Sequence, residues 1–323
     1  MKKVIGIGNA LTDVLVNLRN EEVLNAHYIA RGSMSLVDSE LQSQVSKEVA
    51  GLPHSLSIGG SANNTIRAMA RLGSEVGFIG KVGHDNTGDR FEQALNNLGI
   101  EGKIFRGDKP SGKCISLVSP DGERTMLTHL GAAAEMHAED ISPAIFEGYD
   151  CLYIEGYLVQ DHDLICRAVE MAHAAGLKVC LDLASYNIVE AQHEFFSYLL
   201  DHTDIVFANE EEALAFTGKG PREALDLLAQ RCEVAVVKTG KEGAMARCGE
   251  EFAQAPAEPV AQVVDTTAAG DFFAAGFLYR HAQGAPLADC LTAGGAVAGA
   301  VIQVVGTQLA DQTWDALRQR LGA

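Results

Sequence analysis

From Cys151 onward the chain alternates short apolar runs with longer helical patterns, and that rhythm restricts the fold more than any other feature. Cys151–Ile154, Val179–Leu183, Ile205–Phe207 and Val234–Lys238 read as strands buried on both faces. Helical patterns near 161–175, 188–200 and 210–217 separate them. Parallel neighbours need a long crossover, so repeated units of this kind predict a mainly parallel sheet with helices on both faces. The same rhythm occurs earlier, with Val4–Gly8 and Val76–Gly80 as strands. A helix over Ser61–Leu72, entered through Gly59-Gly60, and another over Thr87–Leu98, stopped by Gly99, accompany them. Two stretches break the rhythm. Residues 11–58 are irregular, and Cys114–Val118 and Arg124–Thr128 flank Pro120-Asp121-Gly122 as hairpin strands do. We read them as one small β appendage formed by two excursions. The division is a large unit of 1–9, 56–103 and 131–323, and a small β unit of 10–55 and 104–130.

With 323 residues the chain can bury a large core. Its 43 acidic and 25 basic side chains leave a net charge of −18, which repels a nucleic acid duplex or an anionic membrane. A small anionic ligand survives that argument, because a few local amides and lysines overrule the average field. The seven cysteines are scattered and form no Cys-x-x-Cys pair, which fits neither a disulfide framework nor a zinc cluster. A reducing cytoplasm is the expected setting. Asn9 and Asp13 interrupt any signal-like apolar core near the start. Leu291–Val305 is shorter than a membrane span and dense in Gly and Ala, so a tightly packed internal helix is expected there. Small-molecule chemistry remains, carried out by a monomer or a homodimer.

Two motifs fail on their spacing. Gly6-Ile7-Gly8-Asn9-Ala10-Leu11 lacks the third small residue of a dinucleotide fingerprint. Gly107-Asp108-Lys109-Pro110-Ser111-Gly112-Lys113-Cys114 is one residue short of a P-loop, puts Cys114 where magnesium needs a hydroxyl, and leads into a β-like run.

The segment Val263–Leu278 is different. A strand ends, Asp265-Thr266-Thr267-Ala268-Ala269-Gly270-Asp271 makes a turn of small residues, and an apolar helix starts at or near Gly270. Small side chains let an anion approach the backbone, and the free amides and dipole of a helix start favour negative charge. Asp271 is then either an N-cap or a catalytic carboxylate, and the residues alone leave both readings open.

This segment resembles the D-T-x-G-A-G-D signature of the ribokinase-like (PfkB) kinases, and the resemblance extends along the chain. Gly59-Gly60-Ser61-Ala62-Asn63-Asn64 is similar to the family's early Gly-Gly element, and Gly8-Asn9-Ala10-Leu11-Thr12-Asp13 to its first-strand element. Asn209-Glu210-Glu211-Glu212 is similar to its N-x-x-E element, and Lys238-Thr239-Gly240-Lys241-Glu242-Gly243 to its nucleotide loop. The resemblance implies a three-layer α/β/α domain with a small β-sheet lid, and transfer of a phosphoryl group from ATP with Mg²⁺. It also brings K⁺, which related kinases often bind beside the anion hole. Asp271 is implied as general base, with Ala268, Ala269 and Gly270 offering amides to the moving phosphoryl group. Asn9, Asp13, Gly59, Gly60 and Asn64 are implied at the substrate, and Glu155, at a strand's carboxyl end, is added from the sheet rule. Asn209, Glu212, Lys238, Gly240 and Gly243 are implied on the nucleotide side, with magnesium held through water near Glu212.

Bland readings stand beside these. Asn209 and Glu212 also make a good helix start, and Lys238 reads as a strand-end surface residue. Asp13 could be a turn residue, and Arg124 a solvated one or a group reaching the substrate from a closing lid. The family has glycine where this chain has Ala268, so a positive φ there would cost about 1 kcal/mol. Gly32-Ser33-Met34 and Asp121–Met126 with His129–Ala133 are similar to the adenosine-kinase-like branch. The expected acceptor is therefore the 5′-hydroxyl of a nucleoside. A free sugar (ribose, fructose or a keto-deoxy sugar acid) is the alternative, and a catalytically weak nucleoside sensor is the reading from a different class.

Overall fold

Strands rich in Val, Ile, Leu and Cys, with no polar alternation, have to be covered on both sides, and the larger sheet is built that way. The structure is a computed structural model that describes residues 2–120 and 123–322. Its strands are β1 (Lys3–Ile7), β2 (Leu11–Asn17), β3 (Met34–Leu36), β4 (His54–Gly59), β5 (Glu75–Gly83), β6 (Glu101–Gly107) and β7 (Gly112–Val118). They continue as β8 (Arg124–His129), β9 (Cys151–Glu155), β10 (Lys178–Asp182), β11 (Ile205–Asn209), β12 (Val234–Lys238), β13 (Ala244–Cys248) and β14 (Glu251–Ala255). The larger sheet runs β14-β13-β12-β11-β10-β9-β1-β5-β6, parallel from β12 to β6 and antiparallel only through β13 and β14.

One apolar core joins Val4, Phe78, Tyr153 and Phe207 to the helices Ser61–Arg71, Asn86–Asn97, Ala269–Ala282 and Leu287–Val301. The other joins Ile5, Ile79, Leu181 and Val206 to His162–Ala174, His193–Leu200 and Pro221–Leu228. Ile5 and Val4 alternate between the two faces, which makes the three layers that the sequence predicts. Phe277 meets the Phe207 ring edge-on at 5.4 Å and fixes the helix Ala269–Ala282 to the sheet. A Cβ on Gly276 would lie 2.5 Å from the carbonyl oxygen of Ala293. That close approach explains why the following helix is so dense in glycine and alanine. No helix among the described residues is long and apolar enough to cross a membrane.

The smaller sheet has the order β3-β8-β7-β2-β4. Val16, Ile115, Leu117 and Leu127 on one face pack with Val45 and Val49 of the helix Ser39–Val49, giving this sheet its own core. The expected strands on either side of Pro120 do pair antiparallel, as β7 and β8. Asp121 and Gly122, the tip of that turn, lie outside the described residues. Other details differ from the expectation. Residues 11–58 hold three strands and two helices rather than irregular chain, and the helix expected over 188–200 is split into Tyr186–Ala191 and His193–Leu200. β6 reaches Gly107 within the larger sheet, past the expected boundary at 104, and β4, whose last residues were placed in the large unit, belongs to the smaller sheet. The rejected P-loop segment runs into strand β7 with no helix after it.

Candidate active site

The carboxyl ends of β9, β10, β11 and β12 set Glu155, Asp182, Asn209 and Lys238 side by side, with Asp182 in register with Glu155 and Asn209 with Lys238. Ligands of open α/β sheets bind off this edge. Here it opens into a cleft of about 1490 Å³, roofed by Leu11, Asp13, Met34, Leu36 and Met126 of the smaller sheet.

Asp271 lies in the first turn of Ala269–Ala282 and does not cap it, since the N-cap position belongs to Ala268. Its side chain turns across to the helix Ser61–Arg71. Ser61 Oγ donates to Oδ1 at 2.6 Å and Asn64 Nδ2 to Oδ2 at 3.0 Å, which fixes both oxygens. Burial raises the carboxyl pKa to about 7 against the pull of those two hydrogen bonds; the charge of Asp182 adds to the rise and Lys238 opposes it. Ala268 adopts φ 60°, the left-handed conformation that an alanine enters at a cost. The amide of Ala269, expected to face an anion, instead donates to the Thr266 carbonyl at 3.1 Å, because the left-handed residue tightens the turn. The amides of Gly270 and Asp271 have no protein acceptor among the described residues. A Cβ on Gly270 would lie 3.1 Å from Lys238 Nζ, so the lysine ammonium borders the same space.

Asp13, on β2, points its carboxylate at the backbone of Gly59, where a Cβ would come within 2.2 Å of Oδ2. Glycine at 59 is what admits that side chain. Gly60 has φ 95°, and a Cβ there would lie 2.1 Å from the Asn9 carbonyl oxygen. Burial raises Asp13 to about 6, with Arg67 and Arg124 pulling it down, and no donor hydrogen-bonds its carboxylate among the described residues. Glu155 lies at the cleft and accepts three hydrogen bonds from protein. Its Oε1 accepts from the Asn9 amide at 2.9 Å and Asn9 Nδ2 at 2.7 Å, and its Oε2 from the Ala62 amide at 2.8 Å. It ties the first-strand loop to the helix Ser61–Arg71 while lining the cleft where a substrate contact is expected of it. Asn9 and Asn64 line the cleft with their amide groups committed to Glu155 and Asp271 respectively.

On the other side, Asn209 and Glu212 form a capping box, with Glu212 N donating to Asn209 Oδ1 at 2.8 Å and Asn209 N to Glu212 Oε2 at 2.8 Å. Both also line the cleft. Burial lifts Glu212 to about 7, with Lys238 opposing and Asp182 adding. Lys238 is no surface residue: its side chain is 13% exposed and its Nζ donates to Asp182 Oδ2 at 3.0 Å. Burial works against its charge, but Asp182 and Glu212 hold its pKa above the ordinary lysine value. Gly240 and Gly243 close the loop after β12 with φ of 52° and 102°, and both line the cleft.

Arg124 reaches from the smaller sheet to the turn before Ala268, pairing through Nη1 with Asp265 and Thr267 Oγ1 (2.9 Å to the latter) and through Nη2 with Ser116 Oγ of β7 at 2.7 Å. Asp265 also accepts from the amides of Thr267 and Gly306, at 3.0 and 2.7 Å. The arginine therefore braces the turn that leads to Ala268. Asp182, at the centre of the charge network, was missed in the sequence. Its only signal is that it stands near the carboxyl end of the run Val179–Leu183, the same strand-end rule that picked Glu155.

A buried carboxylate fixed beside free helix-start amides and an ammonium can accept a proton from a hydroxyl while charge gathers on a neighbouring phosphoryl group. Residues 36–314 match the family described as pfkB family carbohydrate kinase. The crystal structure of adenosine kinase from Sinorhizobium meliloti is similar at 33% identity and a TM-score of 0.88, covering 99% of each chain. A nucleoside kinase of Methanocaldococcus jannaschii is 25% identical over 81% of this chain and 85% of its own length. A 5-dehydro-2-deoxygluconokinase of Geobacillus thermodenitrificans is 27% identical over 81% of this chain and 83% of its own. With the family match, the fold and the strand-end cleft in agreement, this chain belongs to the pfkB family of carbohydrate kinases and is an ATP-using kinase of the nucleoside and sugar group.

Proposed function

We propose that this kinase transfers the γ-phosphate of ATP to the 5′-hydroxyl of a nucleoside such as adenosine. The observation that carries the reading is the roof of the cleft. Leu11, Met34, Leu36, Met126 and Leu130 offer an apolar wall on the side where Asp13 presents an unpartnered carboxylate. A nucleobase needs such a wall while its ribose needs hydroxyl acceptors, and a free sugar would call for polar groups all round. The resemblance of the chain to the Sinorhizobium adenosine kinase supports the same choice.

In this reading Asp13 holds ribose hydroxyls and Asp271 takes the proton of the attacking hydroxyl. As that oxygen bonds to phosphorus, the bond to the ADP oxygen breaks, and Gly270, Asp271 and Lys238 receive the charge through two amides and an ammonium. A base with a pKa near 7 is matched to neutral conditions, because about half of it is ionised there and it is still basic enough to accept the proton. Glu212, which lines the cleft and feels the charge of Lys238, would hold Mg²⁺ through water, with the phosphates supplying most of its ligands. That ion would neutralise phosphate charge. The smaller sheet acts as a lid that keeps water from the phosphoryl group, with Arg124 as its contact to the catalytic turn.

Measuring ADP release with a panel of nucleosides and free sugars, with and without K⁺, tests the substrate and the cation dependence together. Turnover of adenosine above the sugars is expected. Reaction with a ketose or sugar acid and none with adenosine would defeat the nucleoside reading. Nucleoside binding without any turnover would leave a sensor.

A further inference from the structure

A strained turn stands behind the ammonium of Lys238. Ala184, two residues past the end of β10, adopts φ 66°. Across it the Ser185 amide donates to the Leu183 carbonyl at 2.8 Å, closing a three-residue turn of a rare kind. A left-handed alanine costs about 1 kcal/mol and persists only where its surroundings over-determine it. Two further contacts do so here. Tyr157 Oη donates to the Ala184 carbonyl at 3.2 Å, and the Ala184 amide donates to Asp182 Oδ1 at 2.9 Å.

The turn leaves Asp182 no freedom. The residue is 4% exposed, with Oδ1 held by that amide and Oδ2 accepting from Lys238 Nζ at 3.0 Å. Asp182, Ala184, Tyr157 and Lys238 all line the cleft. A lysine ammonium is a point charge on a flexible stem, so its place is set by what it binds. Among the described residues Nζ has no second hydrogen-bond acceptor. It carries three N–H groups, so two remain for a ligand. The space they border is the one beside Gly270, where a Cβ would lie 3.1 Å from Nζ.

We propose that Asp182 is a positioning residue for phosphoryl transfer, holding the Lys238 ammonium beside the amides of Gly270 and Asp271 with two donors turned to the moving group. Asp182 itself forms no bond and moves no proton. The inference rests on the role proposed above for Lys238, and is independent of which acceptor the cleft takes. The same pair also acts on the base. Burial raises Asp271 against the hydrogen bonds of Ser61 and Asn64; the charge of Asp182, on β10, adds to the rise and that of Lys238, on β12, opposes it. From β9 and the turn after it, burial keeps the phenols of Tyr153 and Tyr157 neutral. From the helix Ser61–Arg71, Arg67 reaches the far side of the Asn64 amide, at Oδ1. Removing Asp182 or Lys238 must therefore move Asp271 in opposite directions.

The test measures initial rates at saturating ATP, with whichever acceptor the parent phosphorylates best, for Asp182→Asn, Lys238→Met and the double variant. Asp182→Asn keeps an oxygen for the Ala184 amide but turns an NH₂ toward Lys238. The rate constant kcat should fall about 10²-fold in Lys238→Met and at least about tenfold in Asp182→Asn. In the double variant it should fall no further than in Lys238→Met, because Asp182 acts through the lysine. The acid limb of kcat/KM for the acceptor should move to lower pH in Asp182→Asn and to higher pH in Lys238→Met. A crystal structure of the parent with a non-hydrolysable ATP analogue and Mg²⁺ needs no variant to fold. It should show Lys238 Nζ bridging Asp182 Oδ2 and a γ-phosphate oxygen. If Asp182→Asn keeps kcat within twofold, or the two losses multiply in the double variant, the inference is overturned while Lys238 keeps its role. Unchanged kcat in Lys238→Met, or an ammonium turned away from the phosphates in the complex, overturns both.

Discussion

Asp271 carries its charge where two elements meet: the helix start supplies its position, and Ser61 and Asn64 supply its orientation. Asp271→Asn keeps the size and can keep both contacts if Ser61 Oγ turns from donor to acceptor, but it cannot take a proton. Steady-state kinetics should show kcat lower by about 10²–10⁴ with KM for ATP little changed. A loss within tenfold would remove Asp271 from the chemistry. In the parent enzyme the rate should climb with pH and level off above about 7, where the carboxyl is ionised. Ala268 is the other pressure point, with φ 60°. Ala268→Gly should raise unfolding free energy by about 0.5–1 kcal/mol in denaturant titrations, since the relief of the Cβ outweighs glycine's added freedom in the unfolded chain. Lower stability in that variant would show that the turn carries no strain.

At the scale of elements, the pairing of Arg124 with Asp265 joins β8 to the turn before Ala269–Ala282. Arg124→Ala would leave a nearly buried carboxylate without its cation, a loss on the order of 3 kcal/mol in urea unfolding. Acceptor-free ATP hydrolysis should rise as well, because the turn loses its brace from the smaller sheet; unchanged hydrolysis would separate Arg124 from closure. The parallel units from Cys151 to Lys238 were legible because each strand has an unbroken apolar interior that stops only at its polar ends. β2 and β4 were not. β2 is half-exposed through its middle and pairs with β7, a partner about a hundred residues away, while the first half of β4 faces solvent, so neither has a local period. The site showed the same contrast. Asp271 and Gly59-Gly60 stand in small-residue turns that invite a reading, whereas Asp182 is one acid at the end of one strand. Nothing in the neighbouring residues announces its ion pair with Lys238, 56 residues on.

Taken over the whole molecule, Asp13, Glu212 and Asp271 give folding a distinctive pH dependence. Their pKa values of about 6, 7 and 7 lie above the ordinary carboxylate range, so the folded chain binds their protons more tightly than the unfolded chain. That stabilisation is complete below about pH 4 and is lost as pH rises through 6 to 7. Unfolding free energy should fall by on the order of 6 kcal/mol between about pH 5 and pH 8. Calorimetry should show the slope flattened in Asp13→Asn/Asp271→Asn; a slope of opposite sign would contradict the buried acids. The two sheets are also joined in an unusual way. Backbone passes between them at 8–10, at 60, at 108–111 and at 130. These passes stand abreast, Leu11 being in register with both Gly59 and Gly112, and Lys113 with His129. Four knuckles in a row make a door hinge rather than a tether. Such a row would yield to bending about its common line more readily than to twist or sideways slip. If the roof swings, each stroke must return Asp13 and Arg124 to the same place, with no search left to perform.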